Sequence, residues 1–334
     1  MAGIASPELV RTERGQLFVT RRRFFQLMAT AGCTFWSGCG LNPEPPIRVG
    51  ANIWPGFECL FIARSLRLFG DKPVKLVEYP STPEVIRAFK NRAIEIAAMT
   101  GDEFLRLSGE QPDLRAFLIT DFSKGADALI GRDEVKSLKD LRGKRIGVEV
   151  NALGVYMLAR ALRKGGVNKE ELEIVPVDND QHLAAFSAGK VDAVVTFEPY
   201  RTKLLKQGGR VLFDSSEIPG EVVDYLVTRE SVLRERGDTL KAILKGWFQA
   251  RERLMTEGEE VARLVASREG ITPADYLKSL DLLEIPSAEK NRQMLACNGK
   301  SWTMLRSTHQ IMVELGLFRG APPTPELFNG AFLP

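Results

Sequence analysis

Histidine occurs only twice in the 334 residues, at His182 and His309, and the four cysteines, Cys33, Cys39, Cys59 and Cys297, form no Cys-x-x-Cys pair. A structural zinc site and a histidine-centred nucleophilic triad therefore lack their raw materials. An excess of one charge is missing too: of the formal +3, five arginines and two acids lie in residues 1–38, and the remainder is balanced. A neutral body offers no footprint for nucleic acid or for an anionic membrane surface. What is present is an ordinary globular composition, 44% hydrophobic and 27% charged, in a chain long enough for about two domains.

Residues 20–28 read TRRRFFQLM, with Thr20, Arg21 and Arg22 followed one residue later by Phe24 and Phe25. This order looks like a twin-arginine export signal. The uncharged stretch from Phe24 to Gly38 is shorter than the roughly 20 apolar residues of a bilayer-spanning helix. Residues 1–38 are thus expected to be a targeting segment that is removed; a surface helix carrying three arginines is the competing reading. WSGCG sets Cys39 behind Ser37 and Gly38, like a lipoprotein cleavage box with Trp36 where leucine is usual. Cys39 is the expected lipidated residue, and Cys33 the alternative. Residues 39–46, containing LNPEPP, form a stiff proline-rich stem. Cys59, in the apolar helical run ECLFIARSL, and Cys297 are expected to be unpaired thiols, although export would permit a disulfide between them.

The body writes one unit twice. AFKNRAIEIAAMTGD (88–102) is echoed by AFSAGKVDAVVTFEP (185–199). Around the first, alternation predicts strands over 47–54, 74–80 and 94–99 with helices over 56–68 and 82–90. Around the second, strands are predicted over 145–150, 172–178 and 191–197 with helices over 152–164 and 180–186. Each set is β-α-β-α-β, the pattern of an open parallel sheet flanked by helices; common helix-strand grammar is the competing explanation of the echo. Extended runs at 114–121, 126–132 and 221–230 connect the sets, with helices filling the remainder. The expected organisation is α/β and two-lobed: 47–122 and 223–334 make lobe 1, 123–222 make lobe 2, and two crossings form a hinge.

Ligands of open α/β sheets bind beyond the carboxyl ends of the strands. Facing lobes would bring those ends to one cleft. Lobe 1 then supplies Asn52, Trp54, Phe57, Glu58, Ser81, Thr82, Thr100 and Asp102; lobe 2 supplies Glu149, Asn151, Leu153, Asp178, Asn179, Thr196, Phe197 and Glu198; Asp224 lies on the returning strand. Trp54 could offer a flat face worth about 0.5–2 kcal/mol to a ring or cation, or pack at the hinge. Glu58 and Asp102 could accept from a ligand or sit in first helical turns, where acids are stabilising. Asn151 reads as an N-cap with a possible second role, Glu198 as a ligand contact or a tie within its loop, Asp224 as contact or hinge, and His182 as solvated.

GANIWPGFE, VKLVEYPST, SLKDLRGKRIGVE, NALGVYMLARAL, AAFSAGKVDAVVTFEP and DSSEIPG, in this order, resemble the periplasmic substrate-binding proteins of ABC importers in the nitrate/sulfonate/taurine group, which includes binders of thiamine-pyrimidine precursors. The similarity runs over residues 47–330. It implies a type II periplasmic-binding-protein clamp that closes on a small molecule and passes it to an ABC permease with its ATPase, acting as an exported, lipid-anchored monomer with no cofactor and no metal. Acids outnumber bases at the strand ends, Lys124 being the main cationic exception. Uncompensated carboxylates in a closing cleft would repel an anion, so an amine, an aminopyrimidine or another donor-rich ligand is expected ahead of nitrate or a sulfonate. A membrane-anchored sensor and an enzyme related to pyrimidine-synthesising relatives stay open as other classes.

Overall fold

The computed structural model describes residues 44–150, 153–296 and 299–334. The export segment, Cys33, Cys39, the first part of the stem, Asn151 and Cys297 lie outside the described residues.

The first β-α-β-α-β set is β1 (Ile47–Ala51), α1 (Glu58–Ser65), β2 (Val74–Glu78), α2 (Thr82–Lys90) and β3 (Ile96–Thr100). A single 3-10 turn, Pro55–Phe57, precedes α1, with proline at its first position, where no amide hydrogen is needed. The helix expected over 56–68 stops at Ser65, and the chain turns through Arg67 at φ 56°. After α3 (Gly101–Glu110) and β4 (Leu114–Ser123) the chain crosses to β5 (Asp127–Gly131), then builds the second set: β6 (Arg145–Val148), α4 (Leu153–Gly165), β7 (Glu173–Pro176), α5 (His182–Ser187) and β8 (Ala193–Phe197). It continues through α6 (Tyr200–Lys206) and β9 (Arg210–Asp214) and crosses back to β10 (Val223–Arg229), which leads into the short α7 (Glu230–Glu235).

The strands form two sheets of matching order. One runs β2-β1-β3-β10-β4, with the two-residue β11 (Leu283–Glu284) on its edge; the other runs β7-β6-β8-β5-β9. Neither is all-parallel, contrary to the sequence pattern. β1 lies parallel to β2 and β3, and β6 to β7 and β8, but β10 is antiparallel to β3 and β4, and β5 to β8 and β9. The reason is topological. A strand entered directly from the other sheet starts at the edge where the parallel strands end, so it must run away from that edge. Asp127, first in β5, thereby comes opposite Phe197, last in β8; Asp224 in β10 comes opposite Thr100, last in β3.

The crossings are pinned to each other. Ser123 N–H donates to Val222 O at 3.1 Å, the Ser123 and Ser215 hydroxyls bond at 2.7 Å, and Gly125 N–H donates to Ser215 Oγ at 2.7 Å. Gly125 sits at φ 123°, a conformation that a side chain disfavours. C-terminal helices then brace the first sheet. Leu240, Ile243, Leu244 and Trp247 of α8 (Gly237–Thr256), spaced as one helical face, share a core with Leu60 and Ile62 of α1. Among the described residues no helix is long and apolar enough to cross a membrane.

Candidate ligand-binding site

Where the strand ends of the two sheets face each other lies a cavity of about 40 Å³, a few times the roughly 10–15 Å³ that a single water needs. Asn52, Trp54, Phe57, Thr82, Met99, Thr100, Glu103 and Asp224 line it from the six-stranded sheet; Asp127, Glu149, Leu153, Gly154, Met157, His182, Val195, Thr196 and Phe197 line it from the five-stranded sheet. Neither lysine nor arginine is among these residues.

Trp54 is positioned by its own extended backbone ahead of the 3-10 turn and by its indole N–H, which donates to Asp121 at 3.2 and 3.3 Å. Its ring meets Phe197 edge-on at 5.7 Å, an aromatic contact between the sheets. Gly56 leaves room for this pairing: a Cβ there would collide with the Asp121 carboxylate and the Trp54 indole nitrogen. Thr100 opens α3 as a capping box in which its N–H donates to Glu103 Oε2 at 2.9 Å. The other Glu103 oxygen accepts the Leu153 N–H at 3.3 Å, so this carboxylate ties the start of α3 to the start of α4. Lys203 Nζ of α6 donates to Glu269 O at 2.6 Å and Lys206 pairs with Asp275 at 2.6 Å, joining the outer edges of the same two bodies. The clamp is shut.

Its lining is acidic and buried. Burial pushes Asp127 up to about 7 and Glu149 up to about 8. Burial together with neighbouring acids, Asp102 for Glu103 and Asp121 for Asp224, holds the other two well above the usual carboxylate range. Asp127 Oδ2, Glu149 Oε1 and Asp224 Oδ1 are fully buried and find no hydrogen-bond partner among the described residues. Buried polar atoms are ordinarily satisfied, so three at one cavity call for an explanation.

Six expected contacts, Glu58, Ser81, Asp102, Asp178, Asn179 and Glu198, do not line the cavity. Glu58 is fully buried with its carboxylate taken by Arg268, at 2.9 and 3.2 Å, and its place in α1 turns it outward from the cleft toward the C-terminal helices. Glu198 accepts from Thr202 N and Oγ1 at 3.1 and 3.0 Å and pairs with Arg201, closing its own loop. Asp102 accepts from Thr100 Oγ1 at 2.6 Å and faces Arg106 at 3.5 Å. Ser81 occupies the N-cap position of α2, buried behind Thr82. Lys124, the expected cation of the cleft, ion-pairs with Glu284 instead.

His182 is the reverse case: expected in solvent, it is 1% exposed and lines the cavity. Its Nε2 faces Val177 O at 3.3 Å and its Nδ1 faces Thr196 Oγ1 at 3.0 Å. A carbonyl can only accept, so Nε2 carries the proton and Nδ1 accepts from the hydroxyl. Burial lowers its pKa to about 4, which keeps the ring neutral. Glu103 and Asp127 also escaped the sequence reading. The Thr100-x-x-Glu103 spacing of a capping box was a readable signal for the first; for Asp127 there was none without the antiparallel pairing. Among the described residues no group of three or more His, Cys, Asp or Glu is placed to hold a metal ion.

Two sheets of one strand order, closed over a buried cavity, define the fold of periplasmic binding proteins. The alkanesulfonate-binding protein SsuA from Xanthomonas axonopodis pv. citri, solved with bound MOPS, matches 85% of this chain and 96% of its own with a TM-score of 0.68 at 18% identity. The chain belongs to the NMT1-like family, whose model matches residues 41–268. Among characterised sequences it is 25% identical over 261 residues to a putative aliphatic sulfonates-binding protein of Escherichia coli, covering 74% of this chain and 78% of that protein. It is 24% identical over 178 residues to the taurine-binding periplasmic protein of the same organism, covering 52% of this chain and spanning only about half, 55%, of that relative. A desulfurization enzyme shares the fold with a TM-score of 0.65, so fold alone does not separate capture from catalysis.

Proposed function

We propose that this protein is an extracytoplasmic solute-binding protein that captures a small molecule between its two lobes and delivers it to the permease and ATPase of an ABC importer. The observation that carries the reading is the buried cavity at the facing strand ends, built equally from both sheets. The two relatives named for taurine and aliphatic sulfonates support it. The lining favours an amine, an aminopyrimidine or another donor-rich ligand, because a sulfonate or nitrate would enter among four carboxyl groups with no cation to meet it. A taurine or sulfonate binder of the same type is the second reading, favoured by the relatives' names.

Catalysis is not the reading the site supports. Cys59, the thiol of α1, is buried away from the lining and burial pushes its pKa up, whereas reactive thiols have depressed values and some exposure. His182 is held neutral with both nitrogens engaged. The exported protein would be removed from its signal at residue 38, held to the membrane through Cys39 and active as a monomer.

A thermal-shift screen of the purified protein tests the function. A ligand that binds only the folded state adds about 2.7 kcal/mol at a hundredfold excess over Kd, so amines and aminopyrimidines should raise the melting temperature and nitrate should not. Trp54→Phe, which keeps a ring but removes the bond to Asp121, should reduce that rise; an unchanged rise would place Trp54 outside the site. Cys39→Ala should release the protein from membranes in cell fractionation, and retention in the membrane fraction would reject Cys39 as the anchor.

A further inference from the structure

The repeated strand order gives each lobe one acid at an equivalent place. Asp224 stands on the antiparallel strand β10 opposite the last residue of β3, and Asp127 stands on the antiparallel strand β5 opposite the last residue of β8. Both line the cavity, Asp127 at 3% and Asp224 at 2% exposure, and each presents one fully buried oxygen with no partner among the described residues. Their other neighbours are acids or hydroxyls. Asp121 of β4 faces Asp224 in register, Glu103 lies at the start of α3, Glu198 follows β8, and Ser123 Oγ meets the Asp127 backbone N–H at 3.3 Å. Around them stand the aromatic faces of Trp54, Phe57 and Phe197 and the apolar Leu153 and Met157.

We infer that the ligand is an organic cation whose protonated nitrogen bridges Asp127 of one lobe and Asp224 of the other, with its hydrocarbon or ring portion against Trp54, Phe57 and Phe197. The inference rests on the proposed capture function and narrows its ligand. Two oxygens of like charge brought together by closure oppose it, because burial removes the water that would screen them. A cation between them reverses the sign of that interaction and is also attracted to the surrounding ring faces. Closure is then cation-strengthened: without a cation the pair of aspartates weakens the shut state, and with one it stabilises it. The same arrangement rejects sulfonates and nitrate, whose oxygens would add a third negative group to the pair.

Benzamidine and benzamide, nearly the same shape but cationic and neutral respectively, provide the test. Calorimetric titration of the purified protein at pH 8 should show benzamidine, or failing that ring shape the flexible amines butylamine and putrescine, binding at least about tenfold more tightly than benzamide. Asp127→Asn and Asp224→Asn should each weaken cation binding by about 10–100-fold, as expected for loss of a charge-assisted hydrogen bond. Both variants should melt no lower than the wild type, because the substitution removes a buried charge while keeping the shape, which separates lost recognition from misfolding. Small-angle scattering should show contraction with the cation and none with benzamide. Equal affinity for benzamide and benzamidine, retained cation binding in both variants, or no binding by any of the three amines overturns the inference. Tight binding and contraction with taurine or ethanesulfonate alone overturns it too, yet leaves solute capture standing; contraction with no solute in the screen removes the capture function itself.

Discussion

Replacing Arg268 with alanine lowers the stability of the protein by about 3–5 kcal/mol, the cost of breaking a buried ion pair from one side. Arg268 lies at the end of α9 (Gly258–Glu269), and its guanidinium bonds both oxygens of the fully buried Glu58, pairs with Glu78 and rests 3.4 Å from the centre of the Phe61 ring. The adjacent Glu269 is itself 1% exposed, with neither oxygen partnered among the described residues. Burial already holds Glu58 and Glu269 above the ordinary carboxylate range, and Arg268 is the cation that opposes this for both. Alanine would leave two buried acids facing each other and would strip the packing from Phe61. The midpoint of urea denaturation measures the effect. Glu58→Gln in the Arg268→Ala background should recover part of the loss, because the pair and not the position carries it. A midpoint unchanged in the single variant would show that the pair contributes nothing net.

The protein loses at least about 3 kcal/mol of stability between pH 6.5 and pH 8. Unfolded carboxyls titrate near about 4, whereas burial raises Asp121 and Asp127 to about 7 and Glu149 to about 8, and Glu103 and Asp224 are held well above the ordinary carboxylate range, adding in the same direction. Across that interval the folded state binds more protons than the unfolded one, so the free energy of unfolding falls as pH rises, by about 1.4 kcal/mol per unit for each excess proton. His182 acts in the opposite direction. Its folded pKa of about 4 lies below its ordinary 6.5, so the stability it removes in acid is restored as pH climbs to about 6.5. Above that point the acids act alone, which fixes the window. Melting curves at constant ionic strength should shift downward by several degrees over it; a flat or rising profile would mean that the cavity carboxyls ionise freely in the folded protein. A cation bound among them should flatten the fall.

Much of this molecule was legible because its signals are local. Alternation and helical spacing placed the strands of both sets within a few residues, and the echo between 88–102 and 185–199 pointed to sheets of the same design. Trp54, Phe57, Thr82 and Thr100 lie at or a few residues beyond strand ends, and the lining of the cavity includes them. What could not be read is set by partners remote in the chain. Glu58 looks the same beside a ligand or beside Arg268, 210 residues away. His182 reads as solvated from the sequence because nothing nearby announces Thr196 as its partner. Asp127 enters only once β5 is known to run against β8, and that direction follows from the crossing and not from any residue in the strand.

The duplicated strand order also bears on how a guest is seated. Topologically equivalent halves offer an incoming molecule two ways round, related by a half-turn. The indole of Trp54 on one wall and the imidazole of His182 on the other make those poses unequal, so the breaking of the internal symmetry, as much as the symmetry, decides which end of the cargo faces which lobe.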